Sequence, residues 1–356
     1  MNILGIESSC DECAAAVVLD GWRVLSNVVA TQIPIHRLYN GVVPELASRA
    51  HAEWITPVVQ EALAQAGLGP AAVEGVAVTA RPGLLGSLLV GLSFAKAFAW
   101  ARNLPFIAVD HMLAHLYAPR LLVSADSGGE AGGSGPASAE PPAYPFLGLL
   151  VSGGHSIICR VHGFDNIEVL GTTIDDAAGE AFDKVAKHYG FGYPGGAAID
   201  GLARTGDPGV FRFSMPNLHK GGRRYDVSYS GLKTAAIINL EQFRAKPDSP
   251  LERPANIAAS FQRTAVEILL RSLFRAVEDT GLTTVVIGGG VAANSLLRAR
   301  VSERKDIRSI FPPLEFCGDN GAMVAGLGYQ YLARGDRSPL TVTASARVSA
   351  FKRPYP

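Results

Sequence analysis

His111 and His115 stand four residues apart in Pro105-Phe-Ile-Ala-Val-Asp-His-Met-Leu-Ala-His115, where a short apolar strand gives way to a segment able to start a helix near Asp110. On a helix that spacing stacks both imidazoles on one face, about one turn apart, where they can share a metal ion. Two unrelated surface or core histidines are the plain alternative. A third ligand is available in Asp319, which precedes the helical stretch Gly321 to Leu332. His111, His115 and Asp319 then form a two-histidine, one-carboxylate set that suits iron or zinc and leaves positions open for substrate. Aspartate is also a favoured helix N-cap, and the two roles are compatible.

Glycine-rich loops supply a second kind of chemistry. Leu150-Val-Ser-Gly-Gly-His155 ends a buried strand, and its glycines let the backbone turn with amides exposed toward an anion. A plain hairpin turn has the same signature. The equivalent turn early in the chain, Glu7-Ser-Ser-Cys-Asp-Glu12, offers carboxylates instead, which suits it to supply a base or orient a nucleophile. Gly288-Gly-Gly-Val-Ala-Ala-Asn294 follows a strand and enters a helix, so a planar ligand can approach the backbone and Asn294 can hydrogen-bond a base or ribose. It is not a Walker A loop, because no Gly-Lys-Ser/Thr follows. Asp176, Glu180 and Asp183 fall along one helical side ahead of Tyr193-Pro-Gly-Gly196 and Asp200, a loop able to close over a nucleotide; exposed acids of this kind are often merely solvated.

The elements that must position these residues occur twice. Ile3 to Ser9, Cys13 to Leu19 and Trp22 to Val28 read as three strands with tight turns, and so do Phe146 to Ser152, Ser156 to Val161 and Ile167 to Gly171. Each trio is followed by helix-forming segments and another buried strand, Val73 to Thr79 in one half and Thr283 to Gly288 in the other. Each half closes with one more strand and helix, the strands being Phe106 to Val109 and Leu314 to Gly318. Matching strand-to-helix junctions would then set the histidines of one lobe against Asp319 of the other across a cleft. The expected division is a first lobe over 1–123, a mobile Gly/Ser/Ala/Pro-rich loop over 124–143, a second lobe over 144–335 whose last helix can pack back on the first, and a tail over 336–356.

Bulk properties exclude several classes. Hydrophobic residues are 48% and charged residues 18% of the 356, enough for packed cores in two lobes. Formal net charge is zero, so nucleic-acid binding would need local basic patches, for which His219-Lys-Gly-Gly-Arg-Arg224 and Arg347 to Arg353 are candidates. The chain opens on a strand without a basic n-region, so no secretory signal is expected. Gly83 to Trp100, nearly apolar apart from Lys96, reads better as a buried helix than as a membrane span. Four cysteines make no disulfide framework in a chain this size, which fits a reducing cytoplasm; Cys10-Asp-Glu-Cys13 reads as a turn between strands.

Duplicated lobes with paired glycine turns resemble the actin, sugar-kinase and heat-shock ATPase superfamily. The fold class this implies is α/β, with duplicated ribonuclease-H-like, actin-like lobes around a central interlobe cleft. Within it the chain closely resembles the bacterial tRNA threonylcarbamoyladenosine transferase family, formerly called glycoprotease. The stretches carrying the likeness are Gly5-Ile-Glu-Ser-Ser-Cys-Asp-Glu12, Asp110 to His115, Leu150 to His155, Asp175 to Lys184, Tyr193 to Gly196, Tyr229-Ser-Gly-Leu-Lys-Thr234, Gly289 to Asn294 and Asp319-Asn320, in family order along nearly the whole chain.

The resemblance implies a metal ion, usually iron as Fe2+ or else zinc as Zn2+, on His111, His115 and Asp319. It implies further that Leu150, Val151, Ser152, Gly153, Gly154, Asp183, Gly196, Asp200 and Asn294 hold the adenylate of threonylcarbamoyl-adenylate, with Mg2+ accompanying bound nucleotide. The threonylcarbamoyl group passes to the N6 amine of the adenosine 3′ to the anticodon, in tRNAs reading codons that begin with A. Glu12 or Asp11 is the candidate to take the amine proton or orient the amine. Family members usually work in the cytoplasm, away from membranes, with an inactive paralogue (TsaB-type) and a small ATPase (TsaE-type). Cys13, Tyr229, Gly318 and Gly321 depart from the usual threonine, phenylalanine, threonine and alanine, and the 124–143 loop is longer than is typical. Two rivals are an actin-like ATP-binding regulatory module and a metallopeptidase. The latter lacks the glutamate that follows the first histidine in H-E-x-x-H enzymes.

Overall fold

The expected strands form with one exception, and one face of the first sheet is lined by residues small enough to let a helix rest on the backbone. The computed structural model describes residues 1–39, 41–123, 142–218, 223–245 and 254–347. It contains two compact units, Met1–Pro141 with Pro312–Ala350, and Pro142–Phe311. The expected loop 124–143 lies outside the described residues except for 142 and 143, the basic stretch His219 to Arg224 except for Arg223 and Arg224, of which Arg224 pairs with Asp279, and the tail beyond 347 wholly.

In the first unit, β1 (Asn2–Glu7), β2 (Glu12–Leu19) and β3 (Arg23–Thr31) form an antiparallel meander. β4 (Gly75–Arg81) and β5 (Phe106–Asp110) add in parallel beside β1, and β6 (Leu122–Val123) adds beside β3, giving the order β5-β4-β1-β2-β3-β6. The short α1 (Ile33–His36) leads to α2 (Pro44–Gln65), which with α3 (Leu85–Ala101) covers the face carrying Leu4, Ile6, Val17, Val76 and Val78. α3 is the helix expected at 83–100. It buries Leu88, Leu92 and Ala95 but exposes Leu85, Leu89 and Trp100. α4 (His111–Tyr117) follows β5 directly. Among the described residues no helix is long and apolar enough to cross a membrane.

The second unit repeats this plan. β7 (Phe146–Val151), β8 (Ser156–Gly163) and β9 (Asn166–Thr172) form the meander, and β10 (Thr284–Gly288) and β11 (Arg308–Ile310) add in parallel, in the order β11-β10-β7-β8-β9. Its helices are α5 (Ala178–Tyr189), α6 (Gly195–Ala203), α7 (Ser230–Ala245), the long, largely buried α8 (Pro254–Thr280) and α9 (Ser295–Ser302). The fifth strand lies earlier than expected. Leu314–Phe316 is a single 3-10 turn, because Pro312 and Pro313 remove two consecutive donors and end the strand at Ile310.

The last helix, α10 (Gly321–Arg334), belongs to the first unit, so the second unit ends at Phe311 and not near residue 335. α10 packs on β1, β2, β4 and β5, opposite α2 and α3. Glycine makes the close approach possible: a Cβ on Gly5 would lie 2.2 Å from the Gly321 carbonyl and 2.5 Å from the Ala325 nitrogen, and one on Gly328 would lie 2.2 Å from Ala77 Cβ. Gly321, where the family usually has alanine, sits with its own Cβ direction 2.6 Å from the Ala16 nitrogen.

Candidate functional site

β5 ends on Asp110, whose extended backbone and side chain cap α4. Its Oδ1 accepts from the Met112 and Leu113 amides at 2.8 and 3.3 Å. That cap fixes the first turn, so His111 and His115 project from one face with ring centroids 4.6 Å apart and planes at 82°. Asp319 arrives from the turn before α10. The N-cap of α10 is its neighbour Asn320, whose Oδ1 accepts from the Met323 amide at 2.9 Å. The cap role is thereby taken by Asn320, and the Asp319 carboxylate turns to the imidazoles. Its Oδ1 lies 3.4 Å from His111 Nε2 and 3.0 Å from His115 Nε2, and the three ligand atoms all lie within 4.8 Å of one another. Ligands at zinc-like bond lengths in a tetrahedral shell are about 3.3 Å apart, so the residues present fit an ion. All three belong to the first unit. The expected split of histidines and carboxylate between two lobes is corrected, because α10 returns to the first sheet.

Behind the imidazoles lies a residue that motif spacing does not single out. Glu7, fully buried at the end of β1, accepts from His111 Nδ1 at 3.0 Å and Thr79 Oγ1 at 2.6 Å through Oε2, and from the Ser9 amide at 2.6 Å through Oε1. This is the carboxylate support that a metal-bound histidine ordinarily has on its far nitrogen, and it leaves Nε2 as the ligand atom. An acidic residue closing an otherwise apolar strand was the available signal. Burial works to raise the Glu7 pKa, but the His111 charge and hydrogen bond overcome it and hold the carboxyl below its usual value. Burial pulls His111 down, while Asp319 and Glu7 outweigh it and push the imidazole up to about 10. Burial and the adjacent His111 charge lower His115. Without an ion, His111 is therefore the charged imidazole and His115 the neutral one.

The turn after β1 carries Asp11, buried, and Glu12, half-buried at the start of β2. Burial pushes Glu12 up to about 9, with the Asp319 and Asp11 charges adding to it. Cys10 and Cys13 of this segment are free thiols, as is Cys159.

The candidate donor-binding residues all lie in the second unit, where β7 and β10 run parallel with Leu150 opposite Gly288. Leu150 and Val151 are buried strand residues, while Ser152, Gly153 and Gly154 form the turn beyond them, closed by the Ser152 amide on the His155 carbonyl at 2.8 Å. Both glycines are exposed to open space. The start of α5 closes on this turn, with the Gly179 amide 3.2 Å from the Ser152 carbonyl. Gly289, at φ +93°, brings the β10 turn against it, since a Cβ there would lie 2.3 Å from the Val151 carbonyl. Asn294 caps α9, its Oδ1 accepting from the Leu297 amide at 3.0 Å. Asp200 on α6 accepts from the amide and hydroxyl of Ser295 at 3.1 and 2.7 Å and from Gln262 Nε2 at 3.1 Å, tying α6, α8 and α9 together. Asp183 accepts from the Gly195 amide at 2.7 Å and so sets the start of α6, while Gly196 faces open space. Of the acidic series, Asp176 is paired with Lys184 and Lys233 and Glu180 with Lys184. Those two acids are structural ties. The Tyr229 hydroxyl, where the family usually has phenylalanine, donates to the Ala265 carbonyl at 3.2 Å.

The family model described as tRNA N6-adenosine threonylcarbamoyltransferase, TsaD, matches residues 23–326. The chain belongs to that family. The relative of the same name from Treponema denticola is 63% identical over 353 residues, covering 99% of each chain, and that from Borreliella burgdorferi is 46% identical over 355 residues, covering 100% of this chain and 96% of its own. Membership makes the chain a transferase of the tRNA-modifying class. Among solved structures, (R)-2-hydroxyglutaryl-CoA dehydratase component A from Acidaminococcus fermentans superposes with a TM-score of 0.52 at 14% identity, covering 94% of this chain and 99% of its own. That likeness concerns the fold alone, a mixed α/β arrangement with two sheets.

Proposed function

We propose that the chain transfers the threonylcarbamoyl group of threonylcarbamoyl-adenylate to the N6 amine of the adenosine 3′ to the anticodon, in tRNAs reading codons that begin with A. The observation that carries this reading is the convergence of His111, His115 and Asp319 with Glu7 behind them, in a chain of this family. In the reaction the amine nitrogen bonds to the carbamoyl carbon, the bond from that carbon to the phosphate oxygen breaks, and AMP departs with the electron pair. The amine loses one proton.

The three ligands would hold one divalent ion, iron or zinc by the donor set. When bound, such an ion supplies Lewis-acid polarisation of the carbonyl that a weak amine nucleophile must attack. The remaining work falls to side chains and backbone. The exposed Gly153 and Gly154 of the turn after β7 would present their amides to the adenylate phosphate, and Gly196, Asp200 and Asn294 frame the nucleoside, with Asp183 fixing the start of α6. Mg2+ would accompany nucleotide here. Glu12 orients the amine and is protonated at pH 7, since burial, with the Asp319 and Asp11 charges, pushes its carboxyl up to about 9. Asp11, on the same turn, is the candidate to take the amine proton. Met112, buried where a peptidase of the H-E-x-x-H type places its base, argues against proteolysis.

This reading puts the chain in the cytoplasm, in company with an inactive paralogue and a small ATPase. The test is reconstitution with the donor-forming enzyme, threonine, bicarbonate, ATP and tRNA, followed by nucleoside mass spectrometry. Threonylcarbamoyladenosine appearing only when this chain is present is the expected result. Its formation without the chain, or its absence from the complete mixture with partners, would end the proposal.

A further inference from the structure

The acidic turn between β1 and β2 is held by its carbonyls, and three successive ones are taken by three different helical segments. The Leu84 amide, capping α3, donates to the Ser9 carbonyl at 2.7 Å, and the Gln32 amide, ahead of α1, donates to the Asp11 carbonyl at 2.9 Å. Between them His51 Nε2, from α2, meets the Cys10 carbonyl at 3.0 Å. A carbonyl accepts only, so the ring proton is on Nε2. Two of these donors are backbone amides, which any residue would supply. His51 is the one side-chain donor in the set.

The rest of the imidazole makes an unusual choice for a helix core. His51 is fully buried, and its Nδ1 has no hydrogen-bond partner among the described residues. An apolar side chain would avoid leaving that nitrogen desolvated without a partner. Burial lowers its pKa, so the ring is neutral and carries a single ring proton, the one on Nε2. The same turn carries Ser9, whose amide donates to Glu7, and Asp11 and Glu12.

We infer that His51 is a positioning residue for the transfer, holding the Ser9–Glu12 turn in register through the Cys10 carbonyl without touching metal or substrate. The inference rests on the proposed role of Glu12 and Asp11 in orienting the amine. Glutamine extends an N–H to about the place of Nε2; leucine fills similar space and offers none. Displacement of a catalytic group by about 1 Å costs on the order of 100-fold in rate.

In the reconstituted complex, His51→Leu is expected to lower kcat about 10- to 100-fold with KM for tRNA and bound metal unchanged, and His51→Gln to restore kcat to within about threefold of the parent. A purely structural role would move the melting temperature and metal content of both variants alike, leaving kcat per folded, metal-loaded enzyme unaltered. Equal kcat for the leucine variant and the parent overturns the inference, as does a glutamine variant no better than leucine. If His51→Leu does not fold, His51→Asn and His51→Gln are compared: the shorter amide cannot reach Cys10, so equal kcat for these two also overturns it. Failure of the parent itself to form product would instead remove the proposed function.

Discussion

Replacing Glu7 by glutamine preserves the shape of the side chain and removes its charge at a point where three donors converge. The Ser9 amide donates to Oε1, and His111 Nδ1 and the Thr79 hydroxyl share Oε2, at 2.6, 3.0 and 2.6 Å. A glutamine has one accepting oxygen. In one orientation its NH2 faces a backbone N–H that cannot turn away; in the other it faces His111 Nδ1. The ring can relieve the second clash only by moving its proton to Nε2, the nitrogen that must ligate the ion. Either way the support of the metal ligand is lost, which costs about 10- to 100-fold in metal affinity, or about 1.4–2.7 kcal/mol. Competition against a chromophoric chelator measures it directly, with near-ultraviolet circular dichroism as the check on folding. A folded Glu7→Gln protein that binds iron or zinc within threefold of the parent would refute the reasoning. Because the folded pKa of Glu7 is depressed, its ionisation stabilises the protein above about pH 4.5 and this is lost as pH falls through the folded value.

The raised His111 pKa has the opposite sign. In metal-free protein its charge contributes stability that is complete below about pH 6.5 and is lost as pH rises through about 10. An ion binding at pH 7 must displace that proton. Calorimetry in two buffers of different ionisation heat is expected to report about one proton released, with affinity rising about tenfold per pH unit from 7 to 9; no release would contradict the assignment. Gly5→Ala should cost at least about 1–3 kcal/mol and reduce metal loading, because the added methyl meets the Gly321 backbone and pushes α10, and with it Asp319, off the sheet; an unchanged melting temperature would count against this. Asp200→Ala unties α9 from α6 and should raise KM for the adenylate donor at constant metal content, which steady-state kinetics and metal analysis together can check.

Periodicity and spacing revealed much of this. The two meanders, the parallel strands β4, β5 and β10, and the helix presenting His111 and His115 are local patterns, and they stand where the residues predicted. What escaped was non-local. Asp319 looked like a contribution from a second lobe because chain order places it there; the last helix was expected to be able to pack back on the first lobe, but the glycine seam of Gly5, Gly321 and Gly328 that seats it there has no period to read. Glu7 was legible only as one carboxylate of the turn after β1, since its role is set by partners 72 and 104 residues away. The strand expected at Leu314 failed for a reason visible in the sequence, the Pro312-Pro313 pair.

The return of α10 also orders events in time. A ribosome delivers both histidines early, yet the carboxylate emerges only after the entire second unit has been made. Until then the first sheet has one face without its helix, and the nascent chain carries two thirds of a binding site. Translation arrested before Asp319 should therefore yield a product with an uncovered sheet that captures metal poorly, so that loading of the ion waits for the segment that carries Asp319 and α10.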